Sequence, residues 1–262
     1  MSQEIASVVS SLEVLLRERL GSWPSCWEGY HWPGYTYEHS LRVCDLALEI
    51  ARREGADTDV VHLAALLHDI RKDSGKGHAE TGAREAADIL TCLGVKGELR
   101  ERVCSAIATH SGNNTPDSPI ENCCLGDADL IDSNFGLVAT WRFITIRSGH
   151  QATLSDTVAA MGEWLPKKDQ LLALLLTRSG KEIARQRSAR MRVFCEELMD
   201  EIATPRQADG LVTVAGFIHE DCGRHLLCEQ IAGLEELCEE HQAPSLLPTV
   251  CRSLRDEMRG LH

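Results

Sequence analysis

The sequence is poorest in the signals of sheet, membrane and disulfide. None of its 262 residues fall into a convincing strand pattern, so no fold built on a sheet is expected. No apolar run approaches the roughly 18 residues of a membrane span. The N-terminus M-S-Q-E-I-A-S-V-V also lacks the basic start of a secretory signal. A cytoplasmic location without a membrane partner is the expectation. The 11 cysteines are odd in number and form no C-x-x-C pair, so they read as small buried hydrophobes in a reducing compartment. Positive charge is short as well. With 27 Lys and Arg against 40 Asp and Glu, the net charge of −13 argues against binding a nucleic-acid polymer, whose affinity comes from many cationic contacts to phosphate. A small phosphorylated ligand in a locally basic pocket stays compatible with that charge. S-G-K-G at 74–77 lacks the spacing of a phosphate-cradling loop, and no G-x-S-x-G elbow occurs.

What the chain has is helical periodicity. Val43, Leu46, Ala47 and Ile50 recur at spacings of three and four, as one face of an amphipathic helix over 36–53 requires. The same rule predicts helices over 58–69, 79–93 and 97–110, with Gly55, Gly94 and Gly97 as punctuation. A proline-free stretch from Lys167 to Ile202 reads as one long helix that Gly180 interrupts without ending. Pro205 and Gly210 mark a linker, beyond which two helices are expected, over 211–240 and 245–259. Trp23, Trp27, Tyr30, Trp32, Tyr35 and Tyr37 concentrate half of the 12 aromatics in one Gly- and Pro-containing loop, where they would seal the end of a helical core.

Against this background A-L-L-H-D-I-R-K-D, residues 65–73, stands out, because it runs a greasy helix into His68 and Asp69. Projected on their helices, His39 shares a face with Val43, Leu46 and Ile50, His68 with Val61 and Ala64, and His110 with Val103 and Ile107. His78 precedes Gly82, Ala86 and Ile89, and Asp129 sits among Ala128, Leu130 and Ile131. One inward histidine is ordinarily a core residue with its nitrogens satisfied by backbone. Five or six imidazoles and carboxylates aimed at one interior cost several kcal/mol per buried charge, and a divalent cation removes that cost.

The ordered set E-H-S-L-R-V (38–43), L-L-H-D-I (66–70), G-H-A-E-T-G-A (77–83), A-T-H-S (108–111) and D-A-D-L-I-D (127–132) resembles the HD-domain metal-dependent phosphohydrolase superfamily. Within it, the spacing is similar to the bacterial branch that includes small-nucleotide diphosphatases. The arginine-rich segment 184–194 resembles a downstream helix of that branch more loosely. The resemblance implies an all-α HD-domain helical bundle with its motif core at about 30–145. The chain then divides into an HD-type domain over 1–204 and a C-terminal helical extension over 205–262. The resemblance makes His39, His68, Asp69 and Asp129 ligands of one metal, with Asp69 able to bridge to a second; in relatives with two metals, histidines at the places of His78 and His110 complete the second, and in those with one they face the phosphate instead. One or two divalent ions per chain are expected. The N and O donor set suits Mn, Fe, Co, Mg or Zn about equally.

Hydrolysis at phosphorus by metal-activated water follows, with a nucleotide as the expected substrate class. Lys72, just past the H-D pair, and Arg142, which matches an arginine of that branch, are candidate phosphate clamps. Glu80 is the carboxylate best placed by sequence to move a proton, and equally an acid suited to a helix first turn. Arg71 stands where many relatives carry glycine and could narrow the pocket or contact a phosphate. Asp127, two residues from Asp129, reads as a supporting or capping residue. His219, Cys222 and His225 could clasp a stray metal but read better as core or surface. Two other functions use the same residues: a two-iron oxygenase, and a binding module without turnover. The apolar C-terminal helices offer a face on which two copies could pair.

Overall fold

A computed structural model describes residues 3–21, 34–204, 210–222, 224–240 and 246–259. Every regular element among these residues is helical, as the sequence predicts. The order is α1 (Gln3–Leu20), α2 (Tyr35–Glu54), α3 (Thr58–Leu67), α4 (His78–Cys92), α5 (Gly97–Thr109), α6 (Ile120–Asn134) and α7 (Leu137–Gly149). Then come α8 (Leu154–Leu171), α9 (Arg178–Ala203), α10 (Leu211–Asp221), α11 (Leu227–Glu240) and α12 (Leu246–Met258). Among the described residues no helix is long and apolar enough to cross a membrane. Trp23, Trp27, Tyr30 and Trp32 lie outside the described residues; Tyr35 is buried and Tyr37 partly so.

The chain clusters into two units. The first holds α1 to α5, α6 as far as Asp132, and Leu175–Glu182; the second holds Ser133–Leu174 and Ile183–His262. In the first unit α3 is the interior helix. Asp57 caps its start, accepting from the backbone N–H of Asp59 at 3.1 Å and of Val60 at 3.4 Å. Val60, Val61 and Leu63 to Leu67 are all buried against α1, α2, α4 and α5. The face predicted for α2 is the one observed, since Val43, Leu46, Ala47 and Ile50 are fully buried. Small side chains on α4, Ala79, Gly82, Ala83 and Ala86, form its buried face and let α5 pack closely.

In the second unit α10 and α12 pack on α7, and Trp141 Nε1 donates to Gln230 Oε1 at 2.7 Å. Buried Glu257 of α12 accepts from the first turn of α7, at Val138 N, 3.1 Å away. The boundary expected at residue 204 therefore falls inside this unit, because the C-terminal helices bury their apolar faces on a helix from the middle of the chain.

Two predicted helices are broken. The 167–202 stretch divides into α8, a 3-10 turn at Leu172–Leu174, and α9. The break lies before Gly180, and Asp127 is its cause. The Asp127 carboxylate accepts the backbone N–H groups of Leu176 (2.9 Å) and Thr177 (2.7 Å) and the Thr177 hydroxyl (2.7 Å). Thr177 Oγ1 in turn accepts from Gly180 N at 2.9 Å, as an N-cap does. Asp127 thus acts in capping. The second break is at Cys222, which adopts the left-handed conformation (φ 51°) and separates α10 from α11.

Glycine at 180 is a consequence of this cap. A Cβ there would lie 2.6 Å from Asp127 Oδ2 and 2.6 Å from Thr177 Oγ1. Ala for Gly in a helix is ordinarily stabilising by about 1 kcal/mol. Gly180→Ala is expected to reverse that sign and destabilise by about 1–3 kcal/mol in urea unfolding, since the cap must move. A stabilised variant would contradict the cap.

Candidate metal centre

Helix ends deliver most of the polar cluster in the first unit. His68 follows α3, His110 follows α5, and His78 opens α4 after a 3-10 turn over Lys72–Gly77. At each place the ring Nδ1 meets a carbonyl three residues back: His68 with Ala65 O (2.7 Å), His78 with Gly75 O (2.9 Å), His110 with Ile107 O (2.7 Å). A carbonyl only accepts, so each Nδ1 carries the hydrogen and each Nε2 turns a lone pair inward. His39 is presented instead from within α2. Its Nδ1 donates to Asp132 Oδ2 at 2.7 Å and its Nε2 lies 3.1 Å from Asp129 Oδ1.

Asp69 sits at the centre, fully buried. Its Oδ1 lies 3.4 Å from His78 Nε2 and 3.7 Å from His110 Nε2, and those two nitrogens are 3.2 Å apart. On the other side, Oδ2 lies 3.7 Å from His39 Nε2 and 3.7 Å from His68 Nε2. Donors bound to one ion at about 2.0–2.2 Å stand about 3–3.5 Å from each other; the 3.2 and 3.4 Å separations meet that spacing, and the 3.7 Å ones on both sides of the carboxylate lie just outside it. The donor atoms of His39, His68 and Asp129 lie within 4.8 Å of one another, as do those of His68, Asp69 and His110.

Two further features point to a cation. His68 Nε2 is buried with no hydrogen-bond partner, which is costly for an imidazole lone pair. The Nε2 atoms of His78 and His110 approach to 3.2 Å although both ring hydrogens are committed to carbonyls. Two lone pairs at that distance repel unless a proton or a metal ion lies between them.

The electrostatics agree. Burial pulls His39 down, but Tyr35, Asp129 and Asp132 outweigh it and raise its pKa to about 10. Burial dominates at His68 and pushes it down to about 4. Asp69 and Asp129 are held well below the carboxylate range in spite of burial, Asp69 by His68 and Lys72 and Asp129 by His39. Burial lowers His78, whereas the nearby carboxylates of Asp69 and Asp129 raise His110 against its burial.

Of the remaining candidates, Lys72 joins the cluster. Its Nζ donates to Asp69 Oδ1 at 3.0 Å and lies 3.5 Å from His78 Nε2. Glu80 is exposed in the first turn of α4, where a carboxylate complements the helix dipole. Arg142 lies on α7, in the second unit. Arg71 pairs with Asp73 (3.0 Å) and Glu85 (3.1 Å). His219, Cys222 and His225 form no metal-binding group among the described residues: His219 bonds to Ala152 O, His225 pairs with Asp221, and Cys222 ends α10.

Sequence reasoning passed over Asp132 and Arg42. Asp132 accepts from Arg42 Nε (2.9 Å) and Nη2 (3.0 Å) as well as from His39. The signal was present as paired i, i+3 spacings, His39 with Arg42 and Asp129 with Asp132.

Residues 36–134 match the HD domain family, a span that contains every residue of the cluster. These 99 of the 262 residues are what the chain shares with that family. By sequence it is similar to the Bacillus subtilis protein YpgQ, 26% identical over 174 residues, which cover 64% of this chain and 85% of YpgQ. It is also similar to the symmetrical bis(5'-nucleosyl)-tetraphosphatase of Staphylococcus aureus, 38% identical over 80 residues, 30% of this chain and 41% of that one. The crystal structure of YpgQ in complex with ADP has the same fold, with a TM-score of 0.58 at 22% identity over 76% of this chain and 97% of YpgQ. An HD-superfamily hydrolase from Bacillus thuringiensis gives 0.59 at 22% identity, covering 76% of this chain and 99% of the other.

In metal-free protein the histidines create opposite pH limbs. His39, raised from 6.5 to about 10, contributes stability that is complete below 6.5 and lost as pH climbs towards 10. His68, lowered from 6.5 to about 4, makes stability fall as pH drops from 6.5 towards 4. Urea unfolding in the presence of chelator is expected to show greatest stability near neutral pH. His39→Asn should flatten the alkaline limb; an unaltered alkaline slope in that variant would refute the assignment.

Proposed function

We propose that this HD-domain protein is a metal-dependent hydrolase of a phosphoester or phosphoanhydride in a small molecule, with a nucleotide as the substrate class. The observation that carries the reading is Asp69, a fully buried carboxylate whose two oxygens face separate groups of inward nitrogen and oxygen donors. His39, His68, Asp129 and Asp69 would hold one divalent ion, and Asp69, His78 and His110 a second. Ions bound there would supply water of lowered pKa and neutralise phosphoryl oxygens.

The chain's own groups do the rest. Nδ1 bonds to backbone carbonyls fix three rings so that their Nε2 atoms are presented without rearrangement. Burial of Asp69 and His68 keeps bulk water from the donors. Lys72, whose side chain is 19% exposed, is the cation at the open side of the cluster. With a phosphorylated substrate present it would donate to a phosphoryl oxygen and favour the charge that develops there. The nucleotide class draws support from the relatives, since YpgQ was crystallised with ADP and the staphylococcal relative is a bis(5'-nucleosyl)-tetraphosphatase.

A hydrolysis screen over nucleoside mono-, di- and triphosphates and dinucleoside polyphosphates with added Mn tests the proposal. Product is expected from at least one class, with Asp69→Ala lowering the rate by about 10³-fold or more and Lys72→Ala by about 10²-fold. Hydrolysis unchanged in Asp69→Ala would overturn it.

A further inference from the structure

His39 differs from the other three histidines in how its ring is held. His68, His78 and His110 lie at helix ends and bond to backbone carbonyls. His39 is the fifth residue of the 20-residue helix α2, where backbone carbonyls are engaged in the helical ladder. Its neighbour's carbonyl, Thr36 O, also accepts the Ser40 hydroxyl at 2.8 Å. A mid-helix imidazole therefore needs an acceptor from another element, and Asp132 on α6 is that acceptor.

We infer that Asp132 and Arg42 are positioning residues, a buried carboxylate and its guanidinium partner that fix the ring of His39 so that its Nε2 is offered to the metal centre. The inference rests on reading the cluster as such a centre. Both side chains are about 1% exposed. The Arg42 fork spans both carboxylate oxygens, at 2.9 and 3.0 Å, and the His39 Nδ1 takes the third contact at 2.7 Å. As a carboxylate accepts only, Asp132 places the hydrogen on Nδ1 and leaves the Nε2 lone pair for a metal.

Arg42 gives the arrangement its second property. An uncompensated carboxylate so close to the donors would itself be drawn to a cation, adding a ligand where His39 should bind. The two-pronged guanidinium holds both Asp132 oxygens and balances their charge, so Asp132 stays behind the ring. Register follows from the same contacts. His39 and Arg42 are one turn apart on α2, Asp129 and Asp132 one turn apart on α6, and the pairs His39–Asp129 (3.1 Å) and Arg42–Asp132 (2.9 Å) hold the two helices at one axial position.

The test is metal binding, independent of turnover. Wild type, Asp132→Asn, Arg42→Lys, Arg42→Met and the double variant Arg42→Met with Asp132→Asn are titrated with Mn by calorimetry. Each is also loaded with Co for its visible spectrum, and metal-free melting temperatures are measured alongside. Asp132→Asn is expected to weaken metal binding by about 10–100-fold and to alter the Co spectrum. Arg42→Lys, which keeps the charge, should alter the Co spectrum less than Arg42→Met, which frees Asp132 to compete with His39. The double variant, which leaves no unpaired buried charge, keeps the experiment decisive if Asp132→Asn fails to fold, and it should bind as weakly. Wild-type protein that binds no metal would overturn the centre itself and this role with it. Wild type that binds, with folded variants within about twofold of it and an unchanged Co spectrum, would overturn the positioning role while leaving the centre intact.

Discussion

Lone pairs with nowhere else to go are the constraint around which the first unit is built. Asp69 has no exposed surface, and the Nε2 atoms of His39, His68, His78 and His110 all lie within 3.7 Å of one of its oxygens. Apolar side chains at these positions would relieve the desolvation of several acceptors at once. A chain that keeps them spends folding stability, of which a domain has only about 5–15 kcal/mol, on a cluster that attracts positive charge. Lys72 supplies part of that charge from within the chain, its Nζ 2.9 Å from Asp69 Oδ2.

The surrounding helices serve this interior in two ways. α3 is so thoroughly apolar that it occupies the middle of its unit, and its end therefore opens into the core instead of solvent. Ends of helices are also where carbonyls lack partners in the ladder. His68 and His110 use two of these, so one feature of helix geometry satisfies the backbone and orients a ring. Asp127 shows the complementary use. It stands two residues before Asp129 on α6, faces the other way, and collects the unpaired N–H groups at the beginning of α9.

Much of this was legible in the sequence because the relevant signals are local. Period-3.6 patterning locates α2 to α5 to within two residues of where they lie, and the inward faces of His39, His68 and His110 follow from it. Most of the misses originate in tertiary hydrogen bonds. Leu172 to Thr177 has the composition of a helix, and only the approach of Asp127, some 50 positions earlier, breaks it. Cys222 gives no composition signal for the left-handed turn that ends α10. Asp132 was visible as one more acid in D-A-D-L-I-D, but its contacts to His39 and Arg42 span 93 and 90 residues, beyond the reach of any single-helix projection.

Three of the four rings are anchored to main-chain oxygen, an atom present whatever amino acid the gene specifies. No point mutation deletes those anchors outright; it can only displace them. The fourth ring depends on a side chain, and so on a codon. Inherited variation can thus adjust the basicity and tilt of one imidazole while its three companions stay fixed, which gives evolution a single dial on an otherwise rigid set of donors.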